Sequence, residues 1–186
     1  MTTLYKLTSA ADTTRGGTPW GVGVEHVAPG GGPLCTAAWL HAYRDPLLAV
    51  LMDPGHGRFG AEAHLWRCEG DVGADDGIKV GCTRLRTVER LPLPTVTTAQ
   101  RVRFGVLAAL AVCDNATWRI WAIAWLEGRD RTPKAAARVE AAARATAWAA
   151  AWAAEAAARA AVWAAAREAP GLDLVALAHQ AIGEER

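Results

Sequence analysis

The chain changes its hydrophobic rhythm near residue 95. Before that point short apolar runs stand between Gly- and Pro-rich breaks. "TLYKLT", "AHLWRCEG" and "GIKVGCTRL" have the length and the branched or aromatic content of strands. "RGGTPWGVG" and "APGGGP" are loops that require positive φ angles or sharp turns. One helix interrupts this half: Asp45 caps it, Pro46 suits its first position, and "LLAVLM" continues it until Asp53-Pro54-Gly55 breaks it. The pattern predicts an α+β fold over residues 1–94, a small mixed or antiparallel sheet with one short helix.

From residue 95 the spacing of apolar positions becomes helical. Thr97 and Gln100 have the separation of a capping box, opening a helix over about 98–113 with Val102, Val106, Leu110 and Cys113 on one stripe. A second helix, about 116–127, puts Trp118, Trp121 and Trp125 on one face and ends at Gly128. Thr132-Pro133 starts a long third, about 133–169, which Pro170-Gly171 stops. A fourth, about 173–182, is capped by Asp173 and ended by Gly183.

The long segment is the chain's most unusual stretch. Of the 36 residues from Lys134 to Ala169, 22 are alanine, the best helix former. At ~1.5 Å per residue it would extend ~54 Å, more than the width of a small domain. Trp148 and Trp152 are one turn apart and Trp163 follows 11 residues later, so the three indoles share one side. Such a stripe on small residues suits close helix packing. Its partner is either the Trp118/Trp121/Trp125 face or a second copy of the chain, and a homo-oligomer is expected. Aromatic stacking platforms for nucleic acid come with a basic groove, whereas Arg144, Glu155, Arg159, Arg167 and Glu168 mix the signs here.

Composition narrows the function classes. The net charge of +1 argues against binding nucleic acid or anionic membrane through phosphates alone. Seventeen of the twenty basic residues are Arg and only Lys6, Lys79 and Lys134 are Lys, a bias expected of a GC-rich genome. No apolar run reaches the roughly 20 residues that span a bilayer. Cys35, Cys68, Cys82 and Cys113 form no CxxC pair and no signal peptide precedes them, so reduced thiols in a cytoplasmic protein are expected. His26, His41, His56 and His64 lack ligand spacing, which predicts no metal. "GGTPWGVG" is neither a Walker loop nor a dinucleotide fingerprint, so no cofactor is assigned. A single serine, Ser9, argues against a serine hydrolase.

Four segments, "LYKLT", "TRGGTPWGVGVEH", "PLCTAAWLHAYRDPLLAVL" and "HLWRCEG", resemble a family of uncharacterised phage-encoded proteins known as a domain of unknown function. Its pattern runs from a Tyr-Lys strand through an Arg-Gly element to Leu-Cys, an aromatic, His and Pro-Leu. Here Ala38 replaces the usual glycine, and Leu40 separates Trp39 from His41. The resemblance implies a viral origin and a setting in an infected bacterial cell; it implies no activity. A fainter similarity, a polar first strand, a Gly-rich segment and a His/Tyr strand, is to ADP-ribosyltransferases.

The candidate ligand-binding residues are Lys6 and Arg15 as anion contacts, Trp20 as a stacking surface, and His41 and Tyr43 projecting together from an extended stretch, with His41 a phosphate donor or a base. His26 and Trp39 flank them within the resembling segments, and Glu69 is a carboxylate without a sequence partner. No complete catalytic set is assigned; His41 would act if the protein were an enzyme. These features lead to a non-catalytic protein that captures a small anionic ligand, most simply a nucleotide such as a host immune signal, as an oligomer. The alternatives are a transferase using NAD and a structural module acting through its Trp/Ala helix.

Overall fold

The structure, a computed structural model, describes residues 1–52, 59, 62–114, 116–129 and 147–183. It is α+β, with an antiparallel sheet early in the chain and helices later. The chain divides into two compact units, Met1–Thr95 with Asp173–Val175 and Val96–Leu172 with Ala176–Arg186.

In the first unit the strands are β1 (Thr2–Thr8), β2 (Thr13–Thr14), β3 (Thr18–Pro19), β4 (Glu25–Val27), β5 (Leu40–Ala42), β6 (His64–Asp75) and β7 (Val80–Leu91). β6 and β7 form a long antiparallel ribbon around a turn in which Asp76 Oδ1 accepts from the backbone N–H groups of Ile78 and Lys79. β1 pairs with the free edge of β6, Lys6 opposite Trp66 and Thr8 opposite His64. β7 shares its other edge between β5, along Val80–Cys82, and β4, along Arg84–Arg86. Just after β5, Tyr43 exchanges two backbone hydrogen bonds of 2.8 Å with Tyr5 of β1. The ladder therefore returns to its first strand, and β1, β6, β7 and β5 make a closed ring. Register shifts at Arg67/Cys68 and across Asp71–Ala74 bend the ribbon enough for this closure. β6 is paired on both sides, and the Tyr5–Tyr43 bridge covers the outer edge of β1 at Tyr5.

Alternation then sorts the side chains. Leu4, Trp66, Cys68, Val80, Cys82 and Leu85 fill the interior together with Ala42 and Trp20, and Leu40 and Val72 pack at its margin. α1 (Pro46–Met52) packs against β1 and is capped as its sequence demands, Asp45 Oδ1 accepting from the N–H groups of Leu47 (2.8 Å) and Leu48 (3.1 Å). The expected stop at Asp53-Pro54-Gly55 lies outside the described residues. Gly81 and Gly73 leave room for the Trp39 indole; a Cβ on either would come within 3 Å of that ring.

In the second unit are α2 (Thr98–Val112), α3 (Ala116–Leu126), α4 (Ala147–Glu168) and all but the first two residues of α5 (Leu174–Gly183). The capping box at α2 is complete: Thr97 Oγ1 accepts from the Gln100 N–H and Gln100 Oε1 accepts from the Thr97 N–H at 2.8 Å. At its other end Arg119 donates to the Leu110 and Cys113 carbonyls, two groups the helix leaves unpaired. α4 packs along α2. Gly105 is the reason, since a Cβ there would stand 2.6 Å from Ala158 Cα, so the two backbones nearly touch. This close contact lies on α2, whereas the aromatic pattern pointed to the tryptophan face of α3 or to a second copy of the chain. On α3, Trp118 and Trp121 are tilted with ring centres 6.2 Å apart, and Trp125, like them, is half-buried. Trp163 is half-buried on α4. The side chains of Trp148 and Trp152, and the start of the long helix between 133 and 146, lie outside the described residues. Among the described residues no helix is long and apolar enough to cross a membrane.

Candidate functional site

The same alternation that puts Leu4 in the ring puts Lys6 there. Lys6 is 8% exposed. Its Nζ donates to the backbone carbonyl of His41 at 2.9 Å and sits 4.5 Å above the Trp20 ring. Burial lowers its ammonium from the ordinary 10.5 to about 8. The Cys68 and Cys82 thiols are the titratable groups that bear on its charge, yet neither offers a counter-charge: burial pushes the Cys68 thiol up to about 12 and the Cys82 thiol up to about 11. Both are therefore neutral at physiological pH. Among the described residues no carboxylate forms an ion pair with Lys6. Among the described residues this buried cation is answered by a carbonyl dipole and an indole face.

Trp20, 5% exposed, is fixed from both sides. Its Nε1 donates to Thr14 Oγ1 at 2.9 Å and its backbone N–H donates to the Asp12 carbonyl. His26 meets it edge-on with ring centres 4.6 Å apart. His26 Nε2 lies 2.7 Å from the Pro19 carbonyl; a carbonyl only accepts, so Nε2 carries the hydrogen. His26, Trp20, Lys6 and the His41 backbone thus form one continuous stack.

The His41 imidazole takes a different course. Leu40 and Ala42 pack inward, so the His41 side chain leaves β5 on the other face. Its Nε2 donates to the Leu34 carbonyl. Burial, with the charges of Lys79 and Lys6, lowers its pKa against the opposing effects of that hydrogen bond and Asp76. A neutral ring whose N–H is already engaged has no donor left for a phosphate, so the carbonyl, and not the ring, is what His41 gives to Lys6. Tyr43 serves closure through its backbone and is buried. Trp39 packs against Gly30, Gly73 and Gly81, with its Nε1 3.4 Å from the Gly32 carbonyl. Arg15 stands exposed on the 3-10 turn Arg15–Gly17 between β2 and β3. Glu69 is half-buried on β6 opposite Thr3 and Arg86.

A second polar cluster has no counterpart in the sequence reading. Asp12 Oδ1 accepts from His64 Nδ1 at 2.6 Å, from Trp66 Nε1 at 3.2 Å and from Thr8 Oγ1 at 3.2 Å. Trp66 Nε1 also donates to Thr8 Oγ1, which is fully buried. Partial burial opposes ionisation of Asp12, but these hydrogen bonds and the His64 charge hold its carboxyl below the ordinary 3.8. Asp12 adopts a φ of 53°, a left-handed backbone that Asp tolerates better than most residues. Alternation in "HLW" was the available signal, because it places His64 and Trp66 on one face. The turn returning Asp12 to them carries no glycine or proline to mark it.

Among the described residues no three of His, Cys, Asp and Glu gather as metal ligands. Comparison with protein families, with curated proteins and with solved structures finds no match to this chain.

Proposed function

We propose that the protein is a non-catalytic binding module whose strand ring takes a small anion at Lys6, with Trp20 as the flat surface beside it and nucleotides as the ligand class. One observation carries this reading: a buried ammonium with no carboxylate partner among the described residues. Desolvating a charge without a counter-ion is costly, and an arriving phosphate or carboxylate would supply one. The indole is a fitting neighbour for a base, since stacking on an aromatic face contributes about 1–3 kcal/mol per base. The resemblance of the sequence segments in the first half to phage-encoded proteins supports the further proposal that this capture takes place in the cytoplasm of an infected bacterium, with immune signalling nucleotides as ligands. Assembly of copies through the alanine–tryptophan helix belongs to the same proposal and is checked by sedimentation.

Calorimetric titration with inorganic phosphate, mononucleotides and cyclic nucleotides tests the site. At least one of these anions should bind the wild type, and Lys6→Met should weaken it about tenfold or more, as loss of a charge-assisted contact does. Lys6→Arg should retain part of the affinity. Absence of binding by every anion, or equal binding by Lys6→Met, would overturn the proposal.

A further inference from the structure

We propose that the hairpin from Ser9 to Trp20 is a hinged cover over Lys6, fastened to the strand ring by the contact between Asp12 and His64. The cover deepens the anion reading and rests on it for its purpose, because Lys6 is enclosed and a ligand needs a way in. Among the described residues β2 and β3 pair with each other, in a small sheet outside the ladder that makes the ring. Of residues 9–20 only Trp20 is buried; the others are exposed or half-buried. A two-stranded hairpin with so little buried surface is marginal by itself and is the kind of segment that opens locally. Its attachments decide whether it stays down.

Those attachments fall into two groups. The first ties Trp20 to the hairpin: its backbone N–H donates to the Asp12 carbonyl at 2.7 Å and its Nε1 donates to Thr14 Oγ1 at 2.9 Å. The polar groups of Trp20 are thus satisfied by the hairpin, so the indole travels with it. The second group ties the hairpin to the ring. Asp12 Oδ1 accepts from Thr8 of β1 and from His64 and Trp66 of β6, and the Pro19 carbonyl accepts from His26 of β4. Asp12 belongs to both groups, its side chain holding the ring and its carbonyl holding Trp20. The ends of the segment are fixed, since Thr8 is fully buried and the Gly21 carbonyl accepts from Thr87 Oγ1 of β7. Movement is therefore confined between Ser9 and Gly21. When the Asp12 side chain lets go, Trp20 can lift from Lys6 Nζ while the ladder of β1, β6, β7 and β5 stays paired. Burial of the one indole keeps the cover down at rest.

Native-state hydrogen exchange on the full chain tests the cover, with Asp12→Gly as the variant. Asp12 holds a left-handed φ of 53°, which glycine adopts freely, so this change removes the fastening without straining the turn. Amides of the hairpin, Trp20 among them, should exchange about tenfold faster in Asp12→Gly, beyond any rise shared by the amides of β6 and β7. Asp12→Asn, which keeps an accepting oxygen, should fall between the variant and the wild type. Acetylation by acetic anhydride, located by peptide mapping, reads what the hairpin covers: the reactivity of Lys6 relative to Lys79 should rise about tenfold in Asp12→Gly. Hairpin amides that keep pace with β6 and β7 would overturn the proposal, because the segment would then open only with the whole fold. So would faster hairpin exchange with Lys6 no more reactive, since the hairpin would not be its cover. Neither measurement contains an anion, so a failure here leaves the calorimetric binding test untouched, and a failure of every anion to bind leaves these two readouts unchanged.

Discussion

Replacing Lys6 with Met gives the most direct measure of what the buried charge costs. A fall in ammonium pKa from 10.5 to about 8 corresponds to a charged form disfavoured in the folded state. At about 1.4 kcal/mol per tenfold change, the penalty at pH 7 is about 3 kcal/mol. Methionine keeps the unbranched stem and drops the charge. It also leaves the His41 carbonyl without its donor, a loss of about 1–2 kcal/mol. Lys6→Met should therefore be more stable than the wild type by about 1–2 kcal/mol at pH 7. The pH dependence carries the sign. With the folded pKa below the unfolded one, the unfolded chain binds the proton more tightly, so wild-type stability rises with pH between about 8 and 10.5. The advantage of Lys6→Met should shrink, and then reverse, across that window, a swing of about 2–3 kcal/mol by pH 10. Urea unfolding of both proteins at pH 7 and pH 10 measures it, and the difference between them cancels groups that titrate in both. A variant less stable than wild type at pH 7, or a gap that ignores pH, would refute the account. Lys6 would then be an ordinary structural pin.

Three further outcomes follow from geometry. Asp12→Asn should cost about 1 kcal/mol at pH 7, because it weakens the hydrogen bonds from His64, Trp66 and Thr8. In the wild type that contribution is present above the ordinary carboxylate pKa of 3.8 and is lost as pH falls through the lower folded value; an acid titration of stability should show this loss blunted in Asp12→Asn. Gly105→Ala should destabilise the helical unit by about 2 kcal/mol, since the clash with the Ala158 backbone exceeds the roughly 1 kcal/mol gained in helix propensity; thermal melting followed by circular dichroism reads it. Thr97→Ala removes the capping box and should lower stability by about 1 kcal/mol in the same assay.

Local signals in the sequence translated well where the physics is local. Asp45-Pro46 and Thr97…Gln100 each specify a helix start through side-chain geometry within four residues, and both caps form. The strand segments follow from branched and aromatic runs, although β6 and β7 extend to twelve residues each because their pairing continues through "DVGAD" and "TVERL". What local pattern could not supply is which surfaces meet. Tryptophans at helical spacing offered the α3 face or a second copy of the chain as partner of the long helix; among the described residues the close approach is made where α2 has no side chain at all, at Gly105. A missing Cβ is silent in a hydrophobicity pattern and decisive in a backbone contact.

The same limit governs the site. In "TLYKLT", Leu4 and Lys6 fall on one face and Tyr5 and Leu7 on the other, so alternation alone does not say which face is wet. Both are enclosed, because α1 packs against β1 and the Tyr5–Tyr43 bridge shuts the ring behind Lys6. Two hydrogen bonds between residues 38 apart in sequence thus convert an ordinary strand lysine into a buried one. Trp20 reaches it through a glycine-punctuated loop, and His41 reaches it with a carbonyl, a group every residue possesses and no sequence pattern marks. A chain selected only for stability would place Met or Leu at position 6, since the interior around it is otherwise apolar. The cost borne at that one position is the physical reason for assigning chemistry to Lys6 ahead of the more conspicuous tryptophans.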